Sequence, residues 1–344
     1  MRFRRVTRVL ALGLAALGIG LCTMPAQAEQ SAGTTCQDLD LPVTLVGTQQ
    51  TIYGKLCTPA GAHTVQVLVP GASYNSSYWD YPYTPETRSF RLAMNRAGYA
   101  TLTLDRLGTG RSSRPASLLL TSFSQADVVH QVIQALRAGR GAPRFGKVVL
   151  GGHSVGSAIT IIEAGTWHDV DAVLVTGLTH GINALGAVPI VGSLIPAKLD
   201  SRLAKAAGDL GYLTTAPGTR YASFHKPGLP VPGVDEADEA TKDVFAPGEV
   251  VDTVLLGAVL PYSRKINVPV LLVMGNDPAF CGGLTAPDCG SAESLRKAEA
   301  PDYSAAAQLQ TFVLRDYGHA LNLAPDAPLY QAAVARWADT TVGH

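Results

Sequence analysis

Residues 147–158 read KVVLGGHSVGSA. An apolar run gives out into two glycines, and Ser154 follows with Gly152 and Gly156 two positions to either side. Gly-x-Ser-x-Gly is a short pattern, and a chain with 35 glycines can produce it by chance. Its setting is more specific. A β-compatible run before it and small, helix-compatible residues after it predict a sharp strand-to-helix turn. Such a turn holds its serine in a strained backbone conformation and exposes the hydroxyl. The flanking glycines let strand and helix approach closely. The bland alternative is a tight turn with an idle serine.

Outward from this turn, strand and helix signals alternate. Residues 42–47 and 51–57 read as an opening antiparallel pair, and 64–69, 99–104, 171–176, 268–274 and 311–314 as strands. Helical spacing or capping marks 85–97, 124–138, 155–164 and 328–338. This alternation predicts an α/β fold: a mostly parallel sheet flanked by helices. Ligands of such sheets bind beyond the carboxyl ends of the strands. Between residues 181 and 265 no strand is convincing, and a structureless loop of that length does not suit a compact domain. We expect an inserted, mainly helical cap there. Its apolar run at 184–199, if a single helix, would present a greasy inner face.

The N-terminus has a separate logic. Arg2, Arg4, Arg5 and Arg8 precede an apolar stretch at 9–21, and Ala26-Gln27-Ala28 is a small-x-small site. This predicts a signal peptide over residues 1–28, a secreted or extracytoplasmic location, and a single domain over 29–344. The apolar stretch is too short to span a membrane, so no stable span is expected after cleavage. Arg4-Arg5 lacks the usual context of a twin-arginine signal. Leu21 stands where a lipoprotein cysteine at 22 would need a small residue. The formal net charge is zero and no basic tract follows the leader, so no nucleic-acid partner is expected. Beyond Cys22, four cysteines remain, an even number in an exported chain. Of three possible pairings we favour Cys36–Cys57 and Cys281–Cys289, each closing a short local loop. No CxxC spacing occurs and no histidine cluster adjoins a cysteine, so no zinc site, other metal or cofactor is expected.

A serine hydroxyl needs a base to act as a nucleophile. After a strand–turn–helix serine the order is serine, acid, histidine. His168 and His180 come too early for an acid-bearing strand to precede them, His225 falls in the insertion, and His344 ends the chain. His319 remains, in a loop just past the last strand. Asp277 follows the strand that ends near Met274 and is the expected acid; Asp288 and Asp316 are its rivals. An oxyanion hole would draw one backbone N–H from Val155. A second would come from Pro70-Gly71-Ala72-Ser73, after the 64–69 strand, with Ala72 preferred.

On these residues the chain resembles the secreted α/β-hydrolase family, in the manner of its serine esterases and lipases. The likeness spans roughly residues 41–338. It rests on the GGHSVG turn, Asp277, His319 and LDRLGTGRSS at 104–113, which is similar to a loop found in many members. The resemblance implies an α/β-hydrolase fold and a Ser154–Asp277–His319 triad. One departure is Pro70-Gly71, where many members carry His-Gly. Asp105 precedes the serine and is read as structural, paired with Arg106 or Arg111.

The implied reaction is hydrolysis of a carboxylic ester, with a hydrophobic substrate, through an acyl-enzyme. An exported peptidase, amidase or acyltransferase with the same triad is the alternative, and a silent binding protein the third reading. The partner in either enzyme case is a small-molecule ester or amide. Serine at the turn argues against relatives with an aspartate nucleophile. Tyr74, Tyr78, Trp79, Tyr81 and Tyr83 crowd the loop near the second oxyanion donor. They read equally as an entrance or as core.

Overall fold

A computed structural model describes residues 33–258 and 261–344. The expected signal peptide lies outside the described residues. The chain opens with a hairpin, β1 (Thr34–Leu45) and β2 (Thr48–Pro59). Val46 and Gly47 close it, both with positive φ, as a two-residue hairpin turn requires. β1 starts well before the expected residue 42 and ends at Leu45, short of 47, whereas β2 extends beyond 51–57 at both ends.

Next come β3 (Thr64–Val69), α1 (Pro85–Arg88), α2 (Phe90–Arg96), β4 (Ala100–Leu104) and α3 (Ser122–Ala138). The single helix expected at 85–97 is divided. Ser89 takes an extended conformation, and its hydroxyl accepts the N–H of Leu92 to cap α2. Then follow β5 (Lys147–His153), α4 (Val155–Trp167) and β6 (Ala172–Thr176).

The expected insertion contains α5 (Val188–Gly192), β7 (Leu194–Pro196), β8 (Leu213–Thr215), α6 (Pro232–Thr241) and α7 (Pro247–Ala258). Sequence reading missed the β7–β8 ladder, whose strands are only three residues each. The 184–199 run does not form one helix. It stops at Gly192 and passes into β7, which ends at Pro196. Finally come β9 (Val270–Gly275), α8 (Ala292–Glu299), β10 (Gln310–Leu314) and α9 (Ala327–Thr341); α8 was not anticipated.

Eight strands form the main sheet in the order β1-β2-β4-β3-β5-β6-β9-β10. The β1–β2 and β2–β4 pairs are antiparallel and the other five are parallel. Strand alternation divides the core in two. Val148, Leu150, Val173, Val175, Leu272 and Met274 join one cluster, with Val128 and Ile133 of α3 and Ile159 and Ile162 of α4. Val149, Leu174, Leu271 and Val273 face the other way, onto Phe90 of α2 and Tyr330, Val334 and Trp337 of α9. A period-two strand buried on both faces reads as a continuous apolar run, which is why these strands were legible.

Both preferred disulfides are present. Cys36 and Cys57 face one another across the β1–β2 register, and Cys281–Cys289 closes a loop after β9. No helix among the described residues is long and apolar enough to cross a membrane.

Candidate active site

Ser154 sits between β5 and α4 with φ 55° and ψ −120°, a conformation that L-residues rarely adopt. The turn is tight because its glycines permit it. A Cβ on Gly152 would lie 2.3 Å from the carbonyl oxygen of Gly156, and one on Gly156 would lie 2.2 Å from that of Val69. The Ser154 N–H donates to the carbonyl of Thr176 on β6 at 2.8 Å, which pins the turn to the neighbouring strand end. Its hydroxyl makes no hydrogen bond among the described residues.

His319 lies past β10 in a loop held to the insertion. Gly318 N–H donates to the carbonyl of His225, and Ala320 N–H to that of Phe224. Its Nδ1 is 2.6 Å from Asp277 Oδ2, and both side chains are buried. A ring nitrogen facing a carboxylate at this distance carries the proton, so Nε2 is the nitrogen left to accept another. Asp277 Oδ1 accepts the N–H of Ala279 at 2.9 Å, which fixes the carboxylate plane. Phe280 stacks on the imidazole at 5.5 Å and Phe224 lies against it at 5.7 Å.

Neither rival acid bonds to His319 among the described residues. Asp288 accepts from Gly290, and the Asp316 backbone N–H donates to Asn276. His225 has Asp235 on Nδ1 and Asp238 on Nε2, so neither nitrogen is free. His180 is similarly held by Glu299 and Ser263.

Ser154, Val155, Ala72 and His319 line one cavity of about 250 Å³, with Asp277 behind the imidazole. No hydrogen bond joins Ser154 to His319 among the described residues; such contacts often tighten only when substrate binds. Val155 is the first residue of α4, so its N–H has no acceptor within the helix. Among the described residues, Ala72 N–H makes no backbone hydrogen bond. Ala72 follows Gly71, whose Cα lies so near the turn that a Cβ there would be 3.0 Å from Ser154 Cβ.

Apart from Ser73 and Thr253, the rest of the wall is apolar, with Ile182, Ile190, Val191, Leu194, Phe224, Phe245, Val250, Val254 and Phe280 its larger members. Among the described residues, no carboxylate, ammonium or guanidinium lines it. Four of these residues come from the 182–194 stretch, so an apolar wall forms there without the single helix that was expected.

The tyrosine-rich loop resolves as core. Tyr74, Tyr78, Trp79 and Tyr81 are buried and none lines the cavity; Tyr83 is partly exposed. Tyr78 stacks on His153 at 4.1 Å, beneath the turn. Burial, with His319 nearby, holds His153 well below the ordinary histidine range, so this imidazole stays neutral.

Asp105 does not pair with either arginine side chain. It accepts the backbone N–H groups of Ser76 and Arg111. Arg111 reaches Asp38, and Arg106 turns inward to Glu249 of α7. Sequence reasoning gave Arg106 no role toward the site. It donates to the carbonyls of Pro70 (3.0 Å) and Gly71 (2.9 Å), directly before Ala72.

Residues 66–332 match the model of the alpha/beta hydrolase family. The chain belongs to that family. Among solved structures, this alpha/beta hydrolase is similar to a thermostable carboxyl esterase of Bacillus coagulans bound to glycerol: 14% identity, 89% of this chain, 98% of that one, TM-score 0.59. It is also similar to the ferulic-acid-bound Est1E of Butyrivibrio proteoclasticus, at 14% identity, 88% and 100% coverage, and TM-score 0.53. An enol-lactonase of Burkholderia xenovorans shares 16% identity over 86% of this chain and 99% of that one, with TM-score 0.53. At these identities the likenesses concern the fold alone. No curated protein matches the chain.

Proposed function

We propose that this alpha/beta hydrolase is an exported serine esterase that cleaves hydrophobic carboxylic esters through an acyl-enzyme. The observation that carries the reading is the 2.6 Å contact between His319 Nδ1 and Asp277 Oδ2, on an imidazole that shares a cavity with Ser154. With Nδ1–H committed to Asp277, Nε2 is the base.

In the first half-reaction Ser154 Oγ attacks the ester carbonyl and His319 Nε2 takes its proton. The carbonyl oxygen becomes an oxyanion that accepts the N–H groups of Val155 and Ala72. Collapse breaks the acyl–oxygen bond, and His319 returns the proton to the departing alcohol. Water then repeats the sequence: it gives a proton to His319, its oxygen bonds to the acyl carbon, and Ser154 leaves with the proton as the acid is released. Asp277 orients the ring and stabilises its transient positive charge.

An uncharged, mostly apolar wall favours neutral ester groups over charged peptide termini, whose desolvation no opposite charge there would offset. That wall also supports reading residues 181–265 as a cap over the sheet's carboxyl edge. The two disulfides fit an oxidising compartment and agree with export.

Turnover of p-nitrophenyl esters of increasing chain length, set against aminoacyl anilides, tests the proposal. We expect ester cleavage that strengthens beyond acetate and little anilide cleavage. A preference for anilides would favour the peptidase alternative.

A further inference from the structure

Glu163 lies toward the end of α4, fully buried, and neither carboxylate oxygen accepts a hydrogen bond among the described residues. A buried carboxylate is tolerated only when a proton or a cation neutralises it. Two further ligand-bearing side chains converge on it. His130 of α3 brings Nδ1 to 3.5 Å from Glu163 Oε1 and 2.9 Å from Asp169 Oδ2. One donor atom from each of the three residues lies within 4.8 Å of the others.

That spacing is close to what a metal ion needs, with the 3.5 Å pair already in range and small side-chain shifts required of the others. Tetrahedral zinc with bonds of about 2.0–2.2 Å holds its ligand atoms roughly 3.3–3.6 Å apart. The surroundings also orient the donors. Trp167 stacks on the His130 ring at 4.6 Å, and Gln134 Nε2 donates to Asp169 Oδ2. The nearby cation, Arg137, is committed to Asp171 and to the carbonyl of Asp169. His130 is partly open to solvent, which leaves an entry path and room for a water ligand.

We infer that His130, Glu163 and Asp169 bind one divalent transition-metal ion of the zinc or manganese type, bracing α3 against the C-terminal end of α4. One imidazole and two carboxylates suit such ions better than copper(I), which prefers sulfur, or calcium, which takes six to eight oxygens. Ser154 immediately precedes α4 and Glu163 is nine residues on, roughly 14 Å along the axis. The ion is therefore a brace outside the pocket and takes no part in hydrolysis. The absence of metal expected from cysteine spacing did not address this set. Its ligands are 33 and six residues apart, with a strand between the first two.

The test uses the purified mature chain, stripped with a chelator and titrated with Zn²⁺ by calorimetry, with Co²⁺ as an optical probe. Expected are one ion per chain, a higher melting temperature with Zn²⁺, and quenching of tryptophan fluorescence by Co²⁺ that disappears in Trp167→Phe while binding persists. Glu163→Gln should weaken binding by at least about 100-fold. Asp169→Asn provides the same comparison if that variant fails to fold. No saturable binding up to about 1 mM Zn²⁺ would overturn the inference. So would wild-type affinity in both carboxamide variants, or Co²⁺ binding that leaves Trp167 unquenched. Each would leave Glu163 as a protonated acid beside Asp169.

Discussion

Arg106 Nη2 donates to the carbonyl of Gly71 across 2.9 Å, and the same guanidinium is ion-paired with Glu249. Both partners of the ion pair are buried. One side chain thus joins the loop that presents Ala72 to α7, whose Val250, Thr253 and Val254 line the cavity. The orientation of the 71–72 peptide depends on that fork-shaped contact, which an ammonium group cannot reproduce.

Arg106→Lys should therefore lower kcat by about 10- to 100-fold with a smaller change in KM, because in the proposed mechanism the Ala72 N–H it supports acts on the oxyanion of the transition state. Arg106→Met should instead destabilise the fold by ~3–5 kcal/mol, since Glu249 would be left buried and unpaired. Steady-state kinetics and urea melts of the two variants separate these effects.

Asp277→Asn should keep the fold and lose about 10³–10⁴-fold in kcat, because the amide no longer selects the tautomer with Nε2 free. Full activity in this variant would mean that another group orients His319. Asp316→Asn serves as the control and should stay near wild type, since among the described residues Asp316 bonds through its backbone N–H, to Asn276, and not through its carboxylate.

The turn supplies a stability prediction opposite in sign to its effect on activity. Ser154 at φ 55° carries strain of ~1–3 kcal/mol. That exceeds the ~0.5–1 kcal/mol entropic cost of glycine. Ser154→Gly should accordingly melt at a higher temperature than Ser154→Ala, with both inactive. Gly156→Ala should be destabilised by ~1–3 kcal/mol or more, as its Cβ would meet the Val69 backbone oxygen.

Cys281–Cys289 closes a short loop immediately after Asp277. Replacing both cysteines by serine should cost ~2–3 kcal/mol through the unfolded state. It should also lower kcat, because Phe280 and Ala279 would be held less firmly against His319 and Asp277. Mild reduction of the wild type, followed by activity and circular dichroism, should show activity falling before secondary structure is lost.

The parts of this molecule legible in its sequence are those dictated by backbone chemistry and strand burial. Val148–Leu150, Val173–Val175 and Val270–Val273 announce themselves because both faces of the sheet are covered. Ser154 and Asp277 were read as candidates because each follows such a strand, and His319 because its loop follows the edge strand β10. What escaped is held by contacts with no local signature. Arg106 and Glu249 are 143 residues apart, and nothing around either marks the other. The β7–β8 ladder has three-residue strands that show no period, and the run at 184–199 is apolar enough to suggest a helix but too interrupted by glycine and proline to sustain one.

The central claim is that the hydroxyl of Ser154 is a nucleophile activated by His319. The most direct measurement is reaction of the folded mature protein with a fluorophosphonate, followed by peptide mass spectrometry. One adduct per chain is expected, on Ser154, absent from Ser154→Ala and slowed at least about 100-fold in His319→Ala. A folded protein that stays unmodified, or that carries its adduct on another serine, would contradict the account.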